Sequence, residues 1–405
     1  MAHLSKVRVS GPLAEFASGF TAELVGLGYA SRSVEAQLRL MNHVSVWLGG
    51  QGFSAGDLSQ EVVGRFVVAR RGTRSNLRSA RALVPLLEFL RGRGETPVAV
   101  AALPVGPVEV VSEGFARYLS TQRGLAPATV ASYVSQIRPF LAWYDEHHGG
   151  RWESLTAGHI TRYMGVRAVG QRPRSIQVGF TALRVLLRWM WMEGLAPDRL
   201  VDVIGAVAAP TASGSLPKAL APEQVRDLLT GLSADSLAAA RDEAMLALMW
   251  RMGLRAGEVA ALCLSDIDWR VGVIVVRGKG DRHEQMPLPV DVGHLLAVYL
   301  TTGRPSGGPY RQVFLAIDAP HRSLGTSAVS SVVVRAAAKA GIAGPCAAHR
   351  LRHTAACQVL AGGGGLVEAG QLLRHASAAA TAVYAKSDLS ALTVLARPWP
   401  TGIQS

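Results

Sequence analysis

The first half of the chain has a helical pattern of apolar and polar residues. In GLAPATVASYVSQIRPFLAWY (124–144), apolar residues recur every three or four positions, which is the period of an amphipathic helix. These residues are Val130, Val134, Ile137 and Leu141. Pro127 and Thr129 fit the start of that helix, where proline is tolerated. We predict that residues 1–207 form all-helical modules.

The pattern changes in the last part of the chain. PEQVRDLLTGL (222–232) and SLAAARDEAMLALMWRMG (236–253) again predict helices. VGVIVVRGKGDRHEQMPLPV (271–290) instead joins an apolar, β-branched run to a second short strand through Gly-Lys-Gly, which is typical of a β-hairpin. Helices follow to the C-terminus. The sequence therefore predicts a mainly α fold, with a small β-hairpin or sheet in an α+β C-terminal domain.

Two segments rich in proline, glycine and serine interrupt the helical patterns. They are LPVGPVEVVSE (103–113) and AAPTASGSLPKAL (208–220). We therefore expect three parts, at residues 1–105, 110–207 and 216–405.

The first two parts are similar to each other. GYASRSVEAQLRLMNHVSVWL (28–48) aligns with 124–144 at an offset of 96 residues, which superposes Trp47 on Trp143. LLEFLRGRGETP (86–97) aligns with LLRWMWMEGLAP (186–197) at an offset of 100 residues. Amphipathic helices align by chance, but two matches in the same order favour a duplicated module.

Composition and charge limit the classes of partner and the cellular compartment that the protein could have. The chain has 405 residues and a formal net charge of +13, which points to a polyanionic partner: nucleic acid first, an anionic membrane second. No run reaches the roughly 18 apolar residues of a membrane span, and the N-terminal stretch lacks the apolar core of a signal peptide. The three cysteines have no metal-binding or disulfide spacing. We expect a cytoplasmic protein that is nucleoid-associated when bound to DNA.

Arginines cluster in the middle of each helical module. Such a run is often a solvated surface, but two comparable runs in a strongly basic chain favour contact with DNA phosphates. The candidate DNA contacts are Arg70, Arg71, Arg74, Arg78, Arg172 and Arg174.

HRLRHT (349–354) concentrates histidines and arginines at the start of a predicted helix. His349 and His353 have the i, i+4 spacing of zinc ligands, but arginine stands where HExxH needs its general base and would repel the ion. A helix start with solvated charges is a second interpretation. The third is an anion site, in which Arg352 supplies a bidentate guanidinium and His349 a hydrogen-bond donor.

Other segments favour the anion site. GLRAGEVAALCLSDIDW (253–269) contains Arg255, RGKGDR (277–282) contains Lys279, and LLRHASAAATAVYAK (372–386) contains His375 and Tyr384. Arginines can neutralise a phosphodiester, histidines and lysine can move protons, and tyrosine can act as a nucleophile. This set could transfer a phosphodiester without a metal or another cofactor. We expect Glu258 and Asp266 to be structural, with Glu258 positioning nearby groups.

The order of these motifs resembles that of the tyrosine recombinase (phage integrase) family. The motifs are GLRAGE, GKG, HRLRHT, LLRHAS and TAVYAK, spread over residues 216–390. Residues 110–207 are similar to the family's helical core-binding domain. The first part could be a duplicate of that domain or a divergent arm-type DNA-binding domain. The acidic Glu284 after the hairpin turn and the glycine-rich AGGGG (361–365) depart from the usual family pattern.

The resemblance implies a role for each site residue. Arg255 and Arg352 correspond to the phosphate-binding arginines, and Lys279 to the general acid for the 5′-oxygen. His349 and His375 correspond to the family's two histidines, and Tyr384 to the nucleophile. No metal or cofactor is implied.

The resemblance also implies the reaction and the assembly. The expected enzyme is a site-specific DNA recombinase that acts through a 3′-phosphotyrosyl intermediate, for integration, excision or transposition of a mobile element. Two duplexes and four active sites imply a tetramer on double-stranded DNA, with possible accessory DNA-bending or partner recombinase proteins and no membrane. The alternatives are a non-catalytic DNA-binding accessory relative and a type IB topoisomerase-like enzyme.

Overall fold

The computed structural model describes most of the chain. The described residues are 7–71, 80–97, 106–171, 173–197, 199–205, 219–232, 237–278, 282–306, 309–375, 381 and 384, without the side chains of 71, 174 and 237. They form two compact units, one of Met1–Ala99 with Ser215–Ser405 and one of Val100–Gly214. The division into three domains and the duplication stay predictions.

The N-terminal part consists of helices packed around an apolar core. The helices are α1 (Ala17–Gly26), α2 (Ser31–Gly50), α3 (Gln60–Arg71) and α4 (Val84–Gly92), with 3₁₀ turns at Ala14–Phe16, Ala55–Asp57 and Ala80–Leu83. Phe20 and Phe89 are buried with ring centroids 5.3 Å apart. Trp47 packs with its ring 5.6 Å from Phe66. The core thus joins α1, α2, α3 and α4 through aromatic side chains.

The second compact unit is also helical. It contains α5 (Pro107–Arg117), which continues into a π turn at Tyr118–Gln122, α6 (Pro127–His148), α7 (Ala157–Ala168) and α8 (Pro173–Met192), with 3₁₀ turns at Trp152–Ser154 and Leu200–Val203. Helix α6 begins at Pro127, as its sequence predicts. Of the four apolar residues of the predicted face of α6, Ile137 and Leu141 are fully buried, and Val130 and Val134 are half-buried.

The C-terminal part has seven helices in its described residues. They are α9 (Pro222–Thr230), α10 (Leu237–Arg251), α11 (Ala256–Ala261), α12 (Val290–Val298) with a π turn at Tyr299–Gly303, α13 (Thr326–Lys339), α14 (Ala348–Ala361) and α15 (Leu366–Leu372). Helix α10 is deeply buried: Ala244 to Met249 are almost inaccessible and lie within the main core cluster. It contacts α12 and α14, so the core supports the helix that carries HRLRHT.

A small antiparallel sheet lies in the same part. Its strands, in the order β1–β2–β3, are β1 (Ile267–Asp268), β2 (Val273–Arg277) and β3 (His283–Pro287). Val273 pairs with Pro287, and Arg277 with His283, so the hairpin is confirmed. Strand β1, which follows a 3₁₀ turn at Leu264–Asp266, was not predicted, because two residues are too few to show alternation.

The N-terminal and C-terminal parts of the first compact unit touch at the surface. Arg322 donates from Nη2 to Glu88 Oε2 at 2.7 Å. Both side chains are about half exposed, so this ion pair contributes little to stability. Among the helices described, none is both long and apolar enough to cross a membrane.

Candidate active site

A cleft of about 770 Å³ lies between the start of α11, the β2–β3 hairpin and the start of α14. Its wall brings together three of the predicted site residues, Arg255, His349 and Arg352. Arg277 and Arg282 of the hairpin also face it. The density of cations in one concave surface suits an anionic ligand.

Arg255 is held at the mouth of the cleft by α11. It precedes the first residue of that helix, and its backbone N–H donates to Glu258 Oε2 at 2.8 Å. Its guanidinium Nη1 donates to Glu258 Oε1 at 2.7 Å. A carboxylate three residues on therefore fixes both the helix start and the arginine side chain. The expectation that Glu258 positions nearby groups agrees with these contacts.

Glu258 also holds a second arginine, Arg374, which the sequence analysis did not single out. Arg374 Nη2 donates to Glu258 Oε2, and both side chains are only 6% exposed. Arg374 has a φ of +50°, an unusual backbone conformation for a non-glycine residue. Burial by itself would raise the pKa of Glu258, but the hydrogen bonds from Arg255 and the charge of Arg374 outweigh it and lower the pKa. The carboxylate therefore stays ionised between two guanidinium groups.

Arg352 lies deeper, with only 2% of its surface exposed. Its two terminal nitrogens donate to the carbonyl oxygens of Gly253 and Leu373, so its orientation is set by two chain segments. Burial, with the nearby charge of Arg255, lowers the pKa of Arg352 to about 10, and the side chain remains charged at neutral pH. The structure thus gives Arg352 and Arg255 fixed positive charges in one cleft.

The two predicted site histidines lie near these arginines. Burial, followed by the charge of Arg352, lowers the pKa of both His349 and His375. The Nδ1 atom of His375 lies 2.8 Å from Thr381 Oγ1, within hydrogen-bonding distance. A lowered pKa favours neutral rings, which can accept or donate a proton at neutral pH.

Tyr384 lies in a small apolar cluster, close enough to Arg352 for their charges to interact. It is 2% exposed and packs against Ala356, Leu360 and Leu373. Its ring stacks on His375 with a centroid distance of 6.3 Å. Burial raises the pKa of Tyr384 to about 12, against the opposing charge of Arg352. The phenol therefore keeps its proton at neutral pH.

His353 contacts Tyr384 directly. Its Nδ1 atom is hydrogen bonded to the Tyr384 hydroxyl, and its ring centroid is 5.3 Å from that of the tyrosine. The sequence analysis considered His353 only as a zinc ligand. The sequence showed that His353 lies one turn after His349 on a helix. It could not show the contact with Tyr384, which is 31 positions away.

The hairpin carries the predicted lysine. Lys279 lies outside the described residues, while Gly278 and Arg282 on either side of the turn line the cleft. Asp266 is buried and accepts a hydrogen bond from Arg277 Nη2 at 2.7 Å, which anchors the end of β2 next to the hairpin turn. Asp266 therefore has a structural contact, and the exposed Glu284 also faces the cleft.

The histidine pair does not form part of a metal-binding cluster in the described residues. The rings of His349 and His353 meet edge to face with centroids 4.5 Å apart. No group of three or more His, Cys, Asp or Glu side chains is arranged to hold a metal ion there.

Of the predicted DNA-contacting arginines, Arg70 is the one whose side chain is described. Its Nη2 atom lies 2.8 Å from His43 Nδ1, and its guanidinium is 5.9 Å from the Phe66 ring centroid. The side chains of Arg71 and Arg174, and the whole of Arg74, Arg78 and Arg172, lie outside the described residues. DNA contact by these arginines stays a prediction.

Comparison with known proteins identifies the family. The phage integrase family matches residues 218–390, and the N-terminal SAM-like domain of phage integrases matches residues 113–194. A Sinorhizobium fredii protein, y4rA, whose name describes it as an integrase or recombinase, is 35% identical over 394 residues, covering 96% of this chain and 95% of that protein. Tyrosine recombinase XerD of Mycobacterium tuberculosis is 30% identical over 296 residues, covering 69% of this chain and 94% of XerD.

Two solved structures have a similar fold. The XerH site-specific recombinase, bound to a palindromic difH substrate, has a TM-score of 0.57 and 17% identity, covering 82% of this chain and 93% of XerH. A lambda integrase dimer bound to a COC′ core site has a TM-score of 0.53 and 17% identity, covering 73% of this chain and 99% of that one. The motifs, the fold and the relatives agree: the chain belongs to the phage integrase family and is a tyrosine-type site-specific DNA recombinase.

Proposed function

We propose that Tyr384 is the nucleophile of this recombinase. Its oxygen attacks a phosphodiester of duplex DNA, which forms a 3′-phosphotyrosyl bond and releases a 5′-hydroxyl. The 5′-hydroxyl of a partner strand then attacks the phosphotyrosine and rejoins the DNA. Bond energy is kept in the protein–DNA linkage, so the reaction consumes no nucleotide. The arginines supply the positive charge that a metal ion would otherwise bring.

The observation that carries this proposal is the cleft that joins Arg255, His349 and Arg352, together with the proximity of Tyr384 to Arg352. The two guanidinium groups would bind the non-bridging oxygens and stabilise the charge of the pentacoordinate transition state. Lys279 would enter from the hairpin turn and protonate the departing 5′-oxygen. His349 and His375 would donate hydrogen bonds at the phosphate.

Duplex DNA is the proposed partner, with four copies of the chain on two DNA sites. Two recombinases of similar fold are bound to DNA in their solved structures, which supports this partner. We assign phosphate contacts to the arginine runs of the helical modules, and these contacts position the enzyme rather than read the sequence. The biological role is integration, excision or transposition of a mobile element. The proposed location is the cytoplasm, at the nucleoid when the protein is bound to DNA.

A covalent-trapping experiment tests the nucleophile. A nicked substrate with the cognate site should give a protein–DNA adduct that survives denaturant and persists in EDTA. Tyr384→Phe should form no adduct and still bind DNA. Tyr299→Phe is a matched control, because Tyr299 is also buried and its hydroxyl is also hydrogen bonded, here to the Leu315 N–H at 3.2 Å. An adduct formed by Tyr384→Phe would show that another residue attacks.

A further inference from the structure

The hydroxyl of Tyr384 has a histidine partner. His353 follows Arg352 on α14, and its Nδ1 atom is hydrogen bonded to the Tyr384 hydroxyl. The tyrosine is almost fully buried in the small apolar cluster. A proton leaving the phenol oxygen therefore has a ring nitrogen directly in its path.

The other two histidines of the site are placed differently. The Nδ1 atom of His375 is bonded to Thr381 Oγ1 at 2.8 Å, and its ring stacks on Tyr384 instead of meeting the hydroxyl. The ring of His349 meets that of His353 edge to face, and His349 lines the cleft. Of the described histidines, His353 has the geometry to exchange a proton with the tyrosine.

Before the reaction, His353 is in the form that can accept a proton and Tyr384 is in the form that can give one. Burial, together with the charges of His349, Arg352 and His375, lowers the pKa of His353 to about 4, so its ring is neutral at neutral pH and has one nitrogen without a proton. Burial raises the pKa of Tyr384 to about 12, so the phenol needs a base in order to attack.

We propose that His353 is a catalytic residue that accepts the phenolic proton of Tyr384 during DNA cleavage. The inference rests on the proposed role of Tyr384 as nucleophile. As the Tyr384 Oη–phosphorus bond forms, the proton passes to His353 Nδ1, whose ring carries its other proton on Nε2. The bond between phosphorus and the 5′-oxygen breaks, and that oxygen leaves as a hydroxyl with a proton from Lys279. In the rejoining step the incoming 5′-hydroxyl returns a proton to Lys279, and His353 returns its proton to the departing phenolate.

The negative charge of the DNA assists this transfer. A phosphodiester bound between Arg255 and Arg352 would lie near His349, whose ring contacts that of His353, and its charge would increase in the transition state. Nearby negative charge favours the protonated form of an imidazole, so the basicity of His353 rises as the tyrosine attacks. The base is therefore strongest when the proton moves.

The pH dependence of cleavage distinguishes a base from a structural side chain. Asparagine can place an acceptor oxygen near the position of Nδ1 but cannot take up the proton. Cleavage by His353→Asn should therefore depend on the small fraction of Tyr384 that is already ionised. The ratio of its single-turnover cleavage rate to that of the wild type should rise about tenfold per pH unit between about pH 6 and pH 9. His349→Asn, the same change one turn earlier on α14, should give a ratio that does not change with pH.

A second measurement distinguishes the loss of a base from a general loss of activity. A fluorinated tyrosine at position 384, whose phenol ionises more readily, should reduce the defect of His353→Asn at least tenfold at neutral pH, by roughly the gain in its phenolate fraction. The defect of Arg255→Ala should persist with the same fluorinated residue. DNA affinity and thermal unfolding of each variant establish that the protein is folded.

Each outcome decides one of the two proposals. If the wild type forms no adduct through Tyr384, the proposed nucleophile is wrong and the role of His353 is lost with it. If the adduct forms but the His353→Asn ratio is independent of pH, or the fluorinated tyrosine rescues nothing, His353 only positions the tyrosine.

Discussion

Glu258 binds Arg255 through both of its carboxylate oxygens, one at the backbone N–H at 2.8 Å and the other at the guanidinium at 2.7 Å. The same carboxylate accepts a hydrogen bond from the buried Arg374. One acidic side chain therefore orients an arginine of the cleft and balances the charge of another in the interior.

Glu258→Gln should destabilise the fold. The glutamine leaves Arg374, whose side chain is 6% exposed, without its opposite charge, and breaking a buried ion pair costs about 3 to 5 kcal/mol. Urea unfolding measures this loss. Glu284→Gln, the same change at an exposed position facing the cleft, should alter the free energy of unfolding by less than about 0.5 kcal/mol. Equal stabilities of the two variants would contradict a buried ion pair.

Stability should also fall in acid because of Glu258. Its pKa is lowered in the folded protein, so its contribution is fully present above the ordinary glutamate pKa of about 4.3 and is lost as the pH falls through the lower folded value. Urea unfolding between about pH 6 and pH 3 should show a steeper loss for the wild type than for Glu258→Gln. Parallel curves would assign the acid sensitivity to other groups.

Arg352→Lys should cleave DNA poorly. A guanidinium reaches the carbonyl oxygens of both Gly253 and Leu373 while it carries charge into the cleft, and an ammonium on a flexible chain cannot keep that orientation. The expected loss is about 10²- to 10³-fold in the single-turnover cleavage rate. Arg335→Lys, at an exposed arginine of α13, serves as the control and should cleave normally. Near-normal cleavage by Arg352→Lys would show that the site needs only a point charge.

Lys279→Ala should lose cleavage on ordinary DNA and regain most of it on a 5′-bridging phosphorothiolate. Sulfur leaves as a thiolate without needing a proton, so this substrate bypasses the general acid. Arg255→Ala should remain defective on both substrates, because its charge acts on the non-bridging oxygens. If Lys279 is one more phosphate contact, both substrates should show the same defect and the salt dependence of DNA binding should weaken.

Local pattern in the sequence was enough to predict the helices and the hairpin. Helix α6 begins at Pro127, and β2 pairs with β3 across the Gly-Lys-Gly turn, because these features depend on neighbouring residues. Of the residues that the short motifs singled out, Arg255, His349 and Arg352 line one cleft, and the catalytic roles of the whole set stay predictions.

Only the tertiary structure decided the contacts between separate elements. Glu258 meets Arg374 across 116 residues, and His353 meets Tyr384 across 31. The sequence shows that these side chains can ionise or exchange protons. The partner that each side chain meets depends on how α11, α14 and the C-terminal segment pack on the core. The burial that shifts the pKa values of His353 and Tyr384 likewise exists only after that packing, because desolvation is a property of the folded environment.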